Sequence, residues 1–380
     1  MIRADERALV EAVREFARAE LPDRDRAWDR EERSCAEILP ALGEQGLMGL
    51  RVPEEFGGLG ASVGVYAAII RELAAASASA AVTVAVHNMV CEAIHTFAPQ
   101  GPRVRVLGEL AAGGELAGFA ISEPNAGSDT SRSQTRAERV RGGFALTGSK
   151  MWVTNGVSGR WLIVLARLAG EHSSSGGSKE LTMFLLDAAS EGVSRSAIHG
   201  KMGIRGSETA EVVLDGAFVP EEFVLAGPGE GRRVALTALD GGRISIAAQA
   251  LGIADAALAE MLTYTQQREQ FGRRIADFQA MQWAIADSAT EIAAAAGLIG
   301  QAASLKDRGA PFTRQAAMAK LYASEAANRI AFRAVQAHGG YGYVHEFRVE
   351  QLYRDARITT IYEGTSEIQR MVIARDLLRA

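Results

Sequence analysis

Trp161-Leu-Ile-Val-Leu165 and Leu181-Thr-Met-Phe-Leu-Leu186 are short apolar runs bounded by Gly, Ser and Asp, in a chain whose rhythm is otherwise helical. Such runs between turn-forming residues read as buried strands. The connection between them, Ala169-Gly-Glu-His-Ser-Ser-Ser-Gly-Gly-Ser178, has the composition of an exposed hairpin loop. Glu211-Val-Val-Leu214 and Phe218-Val219 add strand material. No helix-length period separates these segments, so the parallel βαβ pattern is absent and an antiparallel sheet or barrel is predicted.

Moving outward, the period becomes 3.6 on both sides. Leu9, Val13, Phe16 and Ala17 share a helical face, with Glu11, Arg14 and Glu15 between them. The turn-rich stretch Arg51-Val-Pro-Glu-Glu-Phe-Gly-Gly-Leu-Gly60 interrupts, and helical, Ala-rich sequence resumes from about Val65 to Thr96. On the other side, helices are predicted over 234–265, 278–305 and 313–338. Met281, Ile285, Ser288 and Ile292 line one face of the second. Gly339-Gly-Tyr-Gly342 breaks the pattern before the last helices, which end with Ile368 to Leu378. Long helices with short connections form a bundle. The predicted fold is α+β: an N-terminal α-helical domain (1–117), a middle antiparallel β-barrel or sheet (118–230) and a C-terminal four-helix bundle (231–380).

Composition bounds the function. The 380 residues suit more than one domain. A hydrophobic share of 48% against 23% charged excludes a disordered chain. Lys and Arg total 41 against 46 Asp and Glu, a net −5 that argues against nucleic-acid backbone binding. Cys35 and Cys91 make no disulfide framework, and no Cys/His spacing suggests a metal. Lysines stand only at 150, 179, 201, 306 and 320. That bias fits a GC-rich genome better than an arginine surface selected for anions. The opening Met-Ile-Arg-Ala-Asp-Glu-Arg lacks a signal-peptide core, and the longest small-apolar run, Leu73–Val86, is Ala/Ser-rich and short of a membrane span. A cytoplasmic protein without a membrane partner is expected.

Phosphate loops are the first chemistry to test. Gly227-Pro-Gly-Glu-Gly231 and Gly339-Gly-Tyr-Gly342 lack both the G-x-G-x-x-G and P-loop spacings, so they read as a domain junction and a helix break. No G-x-S-x-G elbow is present. Two segments are unusual. In Phe119-Ala-Ile-Ser-Glu-Pro-Asn-Ala-Gly-Ser-Asp-Thr130, a strand enters a turn that frees the Ser122 and Ser128 hydroxyls. Thr147-Gly-Ser-Lys-Met-Trp-Val-Thr-Asn155 follows with Trp152. Together they suit a flat ring and a pyrophosphate, or else a well-made hairpin with a core tryptophan. The second segment is Tyr353-Arg-Asp-Ala-Arg-Ile-Thr-Thr-Ile-Tyr-Glu-Gly-Thr-Ser-Glu-Ile-Gln-Arg370. Glu363 follows an apolar stretch and precedes a helix start. It is either a desolvated base of raised pKa or an acid aiding the helix dipole, with Thr365 or Ser366 as cap.

These segments resemble the acyl-CoA dehydrogenase family of flavoproteins. Lys201-Met-Gly-Ile-Arg-Gly-Ser-Glu208, Leu239-Asp-Gly-Gly-Arg243, Arg268-Glu-Gln-Phe-Gly272 and Gln336-Ala-His-Gly-Gly-Tyr-Gly342 follow in family order, so the likeness spans essentially the whole chain. The resemblance, closest to the straight-chain short- and medium-chain branch, implies noncovalent FAD and oxidation of an acyl-CoA thioester to the trans-2-enoyl product. By position, Glu363 would take the α-proton and its backbone N–H would serve the thioester oxygen, while hydride passes to flavin N5. Ile121, Ser122 and Thr154 would meet the isoalloxazine edge, Trp152 its face and Ser128 the pyrophosphate. Arg268, Phe271, Gln336 and Gly340 would reach the adenosine half in a neighbouring subunit. Phe119, Gly127, Thr365 and Glu367 complete the cofactor set. Ser128, Asp240, Arg243 and Gly364 form the substrate set.

The resemblance further implies a homotetramer built as a dimer of dimers, with an electron-transfer flavoprotein as acceptor. Some branched-chain members carry the base one residue before the arginine matching Arg243; here that residue is Gly242. Three departures stand out: Asn125 for a common glycine, Phe119 for a tyrosine and Ser122 for a threonine. Alternative readings are a dehydrogenase of carrier-protein-bound acyl chains, an acyl-CoA oxidase using O2, and a silent helical scaffold.

Overall fold

The computed structural model describes residues 4–169 and 181–379. The expected hairpin loop over 169–178 therefore lies, from residue 170 on, outside the described residues. The chain opens with α1 (Ala4–Glu20), α2 (Pro22–Glu31), α3 (Leu39–Glu44), α4 (Val63–Ala76), α5 (Ala78–Phe97) and α6 (Gln100–Ala111). The helical stretch expected over 65–96 is helical and divides into α4 and α5 at Ser77. Ser77 takes an extended backbone, and its hydroxyl accepts the Ala80 N–H to start α5 while donating to buried Asp25.

Strands follow: β1 (Ala117–Ala120), β2 (Arg136–Val140), β3 (Gly143–Thr154), β4 (Trp161–Leu168), β5 (Leu181–Asp187), β6 (Val193–Ala197), β7 (Thr209–Pro220) and β8 (Val224–Leu225). They form one eight-stranded sheet ordered β6-β7-β3-β2-β4-β5-β8, with β1 beside β4. No pairing among the described residues joins β6 to β8, so the barrel alternative gives way to an open sheet. Nor is the sheet purely antiparallel: β1 and β2 both run parallel to β4. The chain passes from β2 to β4 through β3, itself a strand, so the parallel pairing leaves no helical period in the sequence.

The last domain holds α7 (Gly231–Gln267), the short hairpin β9 (Glu269–Gln270) and β10 (Arg273–Arg274), α8 (Gln279–Asp307), α9 (Thr313–His338), α10 (Val349–Ile358) and α11 (Ser366–Leu377). Helix α7 is long and apolar enough to cross a membrane, yet 78% of its most apolar window is buried inside the protein. From Gly242 to Ala254 every residue is buried, because α4, α5, α8 and α9 surround it.

The segment Lys201–Glu208 locks the three domains together. A Cβ on Gly203 would lie 2.5 Å from the Arg354 backbone in α10, and one on Gly206 would lie 3.0 Å from Trp28 Cβ in α2. The Gly206 carbonyl accepts the Cys35 N–H at 2.7 Å. Beside this contact, the Arg354 guanidinium donates to both Asp29 oxygens at 2.8 and 2.5 Å, to Glu350, and to the Met202 carbonyl at 3.0 Å. Asp29 is 5% exposed, so removing its partner strands a buried charge. Arg354→Met is expected to cost about 3–5 kcal/mol. Arg139→Met, which breaks the exposed pair with Glu221, should cost less than about 1 kcal/mol. Urea unfolding of the two variants beside the parent checks the contrast.

Candidate active site

Two groups of the residues singled out in the sequence assemble along α5. The first lies where β1 leaves the sheet. A Cβ on Gly118 would sit 2.8 Å from the Thr154 carbonyl, so β1 presses against the end of β3. The Ser122 carbonyl then accepts the Met151 N–H at 2.8 Å. The β3–β7 register breaks between Lys150 and Val153, which leaves Met151 and Trp152 in a bulge. Trp152 takes φ +61°, and its side chain is 62% exposed, so the core-tryptophan alternative fails. Ile121 is buried, Phe119, Ser122 and Thr154 are half-buried, and Gly127 and Ser128 are exposed.

Beneath this surface Glu123 and Lys150 form a buried ion pair at 2.6 Å. Glu123 also accepts from the Ser133 hydroxyl, the Gln134 N–H at 2.6 Å and the Thr135 N–H at 3.1 Å. Burial works to raise its carboxyl, but Lys150 and these donors outweigh it and hold the pKa at about 2. Burial lowers Lys150 to about 8 against the pull of Glu123. The pair stays ionised at neutral pH and fixes the strand that carries Trp152.

The second group surrounds Glu363, in the turn between α10 and α11. Glu363 and Gly364 have φ +53° and +90° in succession. The Gly364 carbonyl accepts from Lys320 Nζ and from Gln369 Nε2, each at 2.8 Å, and Gln369 Nε2 also reaches the Glu363 carbonyl at 3.2 Å. Thr365 caps α11 by accepting the Ile368 N–H at 3.3 Å, and Glu367 lies exposed in its first turn. On α7, a Cβ at Gly242 would lie 2.9 Å from Glu363 Oε2 and 2.8 Å from Met89 Sδ. The missing side chain makes room for the carboxylate. Next to it, buried Arg243 bonds Asp240, which also accepts from Thr313 Oγ1 at 2.6 Å.

Glu363 Oε2 is buried and has no hydrogen-bond partner; neither has Arg243 Nε, Gln369 Oε1 or Ser366 Oγ. Buried polar atoms are rarely left so, and four in one place fit a site that a polar ligand completes. Burial pushes the Glu363 carboxyl up to about 7, with Lys320 and Arg243 pulling the other way. A group at that pKa can both hold and release a proton near neutrality.

Helix α5 joins the two groups. Asn155, just beyond Trp152, donates to the Thr83 carbonyl at 3.1 Å, and Met89 faces Gly242 about 9 Å further along the helix. Arg268, Phe271, Gln336 and Gly340 stand apart and exposed. Arg268 lies over Tyr341, 5.6 Å from its centroid, at the far end of α7, about 38 Å along the helix from Arg243.

Lys320, Gln369 and the Glu123–Lys150 pair escaped the sequence reading. Lys320 had a signal: it is one of few lysines, on the same helical face as Ala316, Ala323 and Ala327.

The models of the acyl-CoA dehydrogenase N-terminal, middle and C-terminal domains match residues 3–114, 118–217 and 229–378. An acyl-CoA dehydrogenase of Bacillus subtilis is 40% identical over 367 residues, covering 96% of each chain. The butyryl-CoA dehydrogenase structure from Megasphaera elsdenii superposes with a TM-score of 0.96 at 37% identity, covering 100% of this chain and 99% of that one. A chain from a structure of the electron transferring flavoprotein of Acidaminococcus fermentans gives the same TM-score, 0.96, at 37% identity and the same coverage, 100% and 99%.

The raised Glu363 carboxyl has a linkage consequence. Between its ordinary pKa near 4.5 and about 7 the folded state holds the proton more tightly, so its contribution to stability falls as pH rises through that window. Glu363→Gln should therefore be more stable than the parent above neutrality, on the order of 1–3 kcal/mol. The gap should close on acidification, as measured by melting temperature against pH.

Proposed function

The chain belongs to the acyl-CoA dehydrogenase family of FAD-dependent oxidoreductases, and from that premise we propose that it dehydrogenates a short straight-chain acyl-CoA, with Glu363 accepting the α-proton. The observation that carries this reading is the orphaned, buried Glu363 Oε2 on a carboxyl raised to about 7. A thioester α-proton is weakly acidic, so its removal needs a base in place and a donor for the developing enolate oxygen. The Glu363 N–H, bonded to no carbonyl of the described residues, is that donor. Bound FAD supplies the hydride acceptor. Ile121, Ser122, Thr154, Trp152 and Ser128 hold its flavin and pyrophosphate. Phe119, Gly127, Thr365 and Glu367 border it.

Arg268, Phe271, Gln336 and Gly340 stand exposed and apart from the Trp152 and Glu363 groups, with Arg268 about 38 Å along α7 from Arg243, which supports an adenosine site shared between subunits. Exposed Phe271, Trp283 and Tyr343 support a contact surface between copies of the chain, and the family likeness favours a cytoplasmic homotetramer arranged as a dimer of dimers. Arg243, Asp240 and Gly364 border the substrate, and Met89 against Gly242 suits a short acyl chain. The likeness to the butyryl-CoA dehydrogenase favours the same length, and the flavoprotein structure favours an electron-transfer flavoprotein as acceptor.

Purified protein should be yellow with one FAD per chain, and dilution to monomers should release the flavin. A stable monomer with full flavin occupancy would contradict the shared site. Glu363→Gln should retain FAD and bind butyryl-CoA yet lose about 10²–10⁴-fold in the rate of flavin bleaching under anaerobic rapid mixing. Bleaching at the parent rate would leave Glu363 a helix-start acid only.

A further inference from the structure

We propose that Lys320 is the positioning residue of the Glu363 turn: its ammonium grips the Gly364 carbonyl from inside the bundle and so aims both the Glu363 carboxylate and the Glu363 N–H. The inference rests on the reading of Glu363 as proton acceptor. Lys320 is 0% exposed on α9, on the helical face it shares with Ala316, Ala323 and Ala327. A buried ammonium is costly unless it is paired, and a methionine would fill the same space without that cost. Yet no carboxylate comes within ion-pair distance among the described residues. Its hydrogen bond goes to Gly364 O at 2.8 Å, across 44 residues of sequence.

The gripped peptide is the one that needs holding. A glutamate in the left-handed region persists only where its surroundings over-determine it, and a second left-handed residue follows at once. Lys320 from α9 and Gln369 from α11 are the two donors on the carbonyl between Gly364 and Thr365. The ammonium bonds the carbonyl and not the carboxylate, and Glu363 Oε2 stays free. A direct ion pair would occupy the oxygen that has to accept the proton.

The charge also acts through space. The groups bearing on Glu363 are Lys320 from α9 and Arg243 from α7, both opposing the upward push of burial. Those bearing on Lys320 are Glu363, Arg243, Glu325 and Glu367, with burial bringing its own pKa down to about 8. Neutralising Lys320 thus raises the pH at which Glu363 ionises, and the rate needs the ionised carboxylate. The acid limb of the profile should move upward.

The test uses the FAD-loaded enzyme and butyryl-CoA, following flavin bleaching against pH for Lys320→Met, Lys320→Gln and Glu363→Gln. Lys320→Met should keep FAD and thioester binding, lose about tenfold or more in rate from misaim, and shift the acid limb up by on the order of one pH unit. Lys320→Gln, which keeps an N–H for the Gly364 carbonyl but no charge, should show the same shift with a smaller loss on the plateau. A merely structural lysine would lower the melting temperature and leave the limb where it was. Unmoved limbs in both variants would overturn the proposal. If Lys320→Met fails to fold, an unmoved limb in Lys320→Gln overturns it alone. Bleaching at the parent rate by Glu363→Gln would instead sink the underlying reading, which an inactive Glu363→Gln beside parent-like Lys320 variants would leave standing.

Discussion

Keeping a carboxylate oxygen unpaired inside a protein is the constraint around which the helical bundle is organised. Glu363 Oε2 receives no hydrogen bond, although Lys320 and Arg243 both bear on it. Proteins ordinarily pair or expose such an atom. Here α7 withholds a side chain at Gly242 to admit it, and α9 and α11 each send a donor to the adjoining carbonyl instead of to the carboxylate. Three helices thus converge on one short turn without satisfying its acid. The deficit is what leaves the group able to exchange a proton near neutrality.

The β domain answers with the opposite device. Glu123 and Lys150 are paired, hydrogen-bonded and buried, so the loop after β1 and the bulge in β3 are tied at one point. The bulge turns Trp152 outward, and the ion pair keeps that aim from drifting. A half-satisfied pair in the same place would cost several kcal/mol. One site therefore combines an acid held ready with an acid fully neutralised, and burial alone does not decide which is which. The number of donors does.

Much of this was legible in the chain. The long C-terminal helices announced themselves by period, and six ordered motifs carried the family. What escaped was whatever depends on pairing across the sequence. The break at Ser77 is hard to see in an Ala-rich stretch, since the Ser77 hydroxyl that caps α5 is also held by Asp25, on another helix. The parallel neighbours of β4 left no trace because a strand, not a helix, makes the crossover. Glu363 kept two readings in the sequence, and its orphaned oxygen and raised carboxyl favour the desolvated one. Lys320 stood out as one of few lysines, but its partner did not, because α9 places it beside a turn 44 residues away.

The glycines of Lys201–Glu208 have a bearing on inheritance. Gly203 lies against the backbone of α10 and Gly206 against Trp28 and Ser79, so one loop of the middle domain is moulded to both of its neighbours at sub-side-chain clearance. A seam of that kind does not accept a foreign partner. A middle domain borrowed from a distant relative would meet an α10 or an α2 of slightly different height, and at Gly203 the contact is with backbone, which leaves no flexible side chain to take up the difference. Exchange of one part alone is therefore expected to cost stability at this seam, whereas changes on the solvent-facing surfaces meet no such constraint.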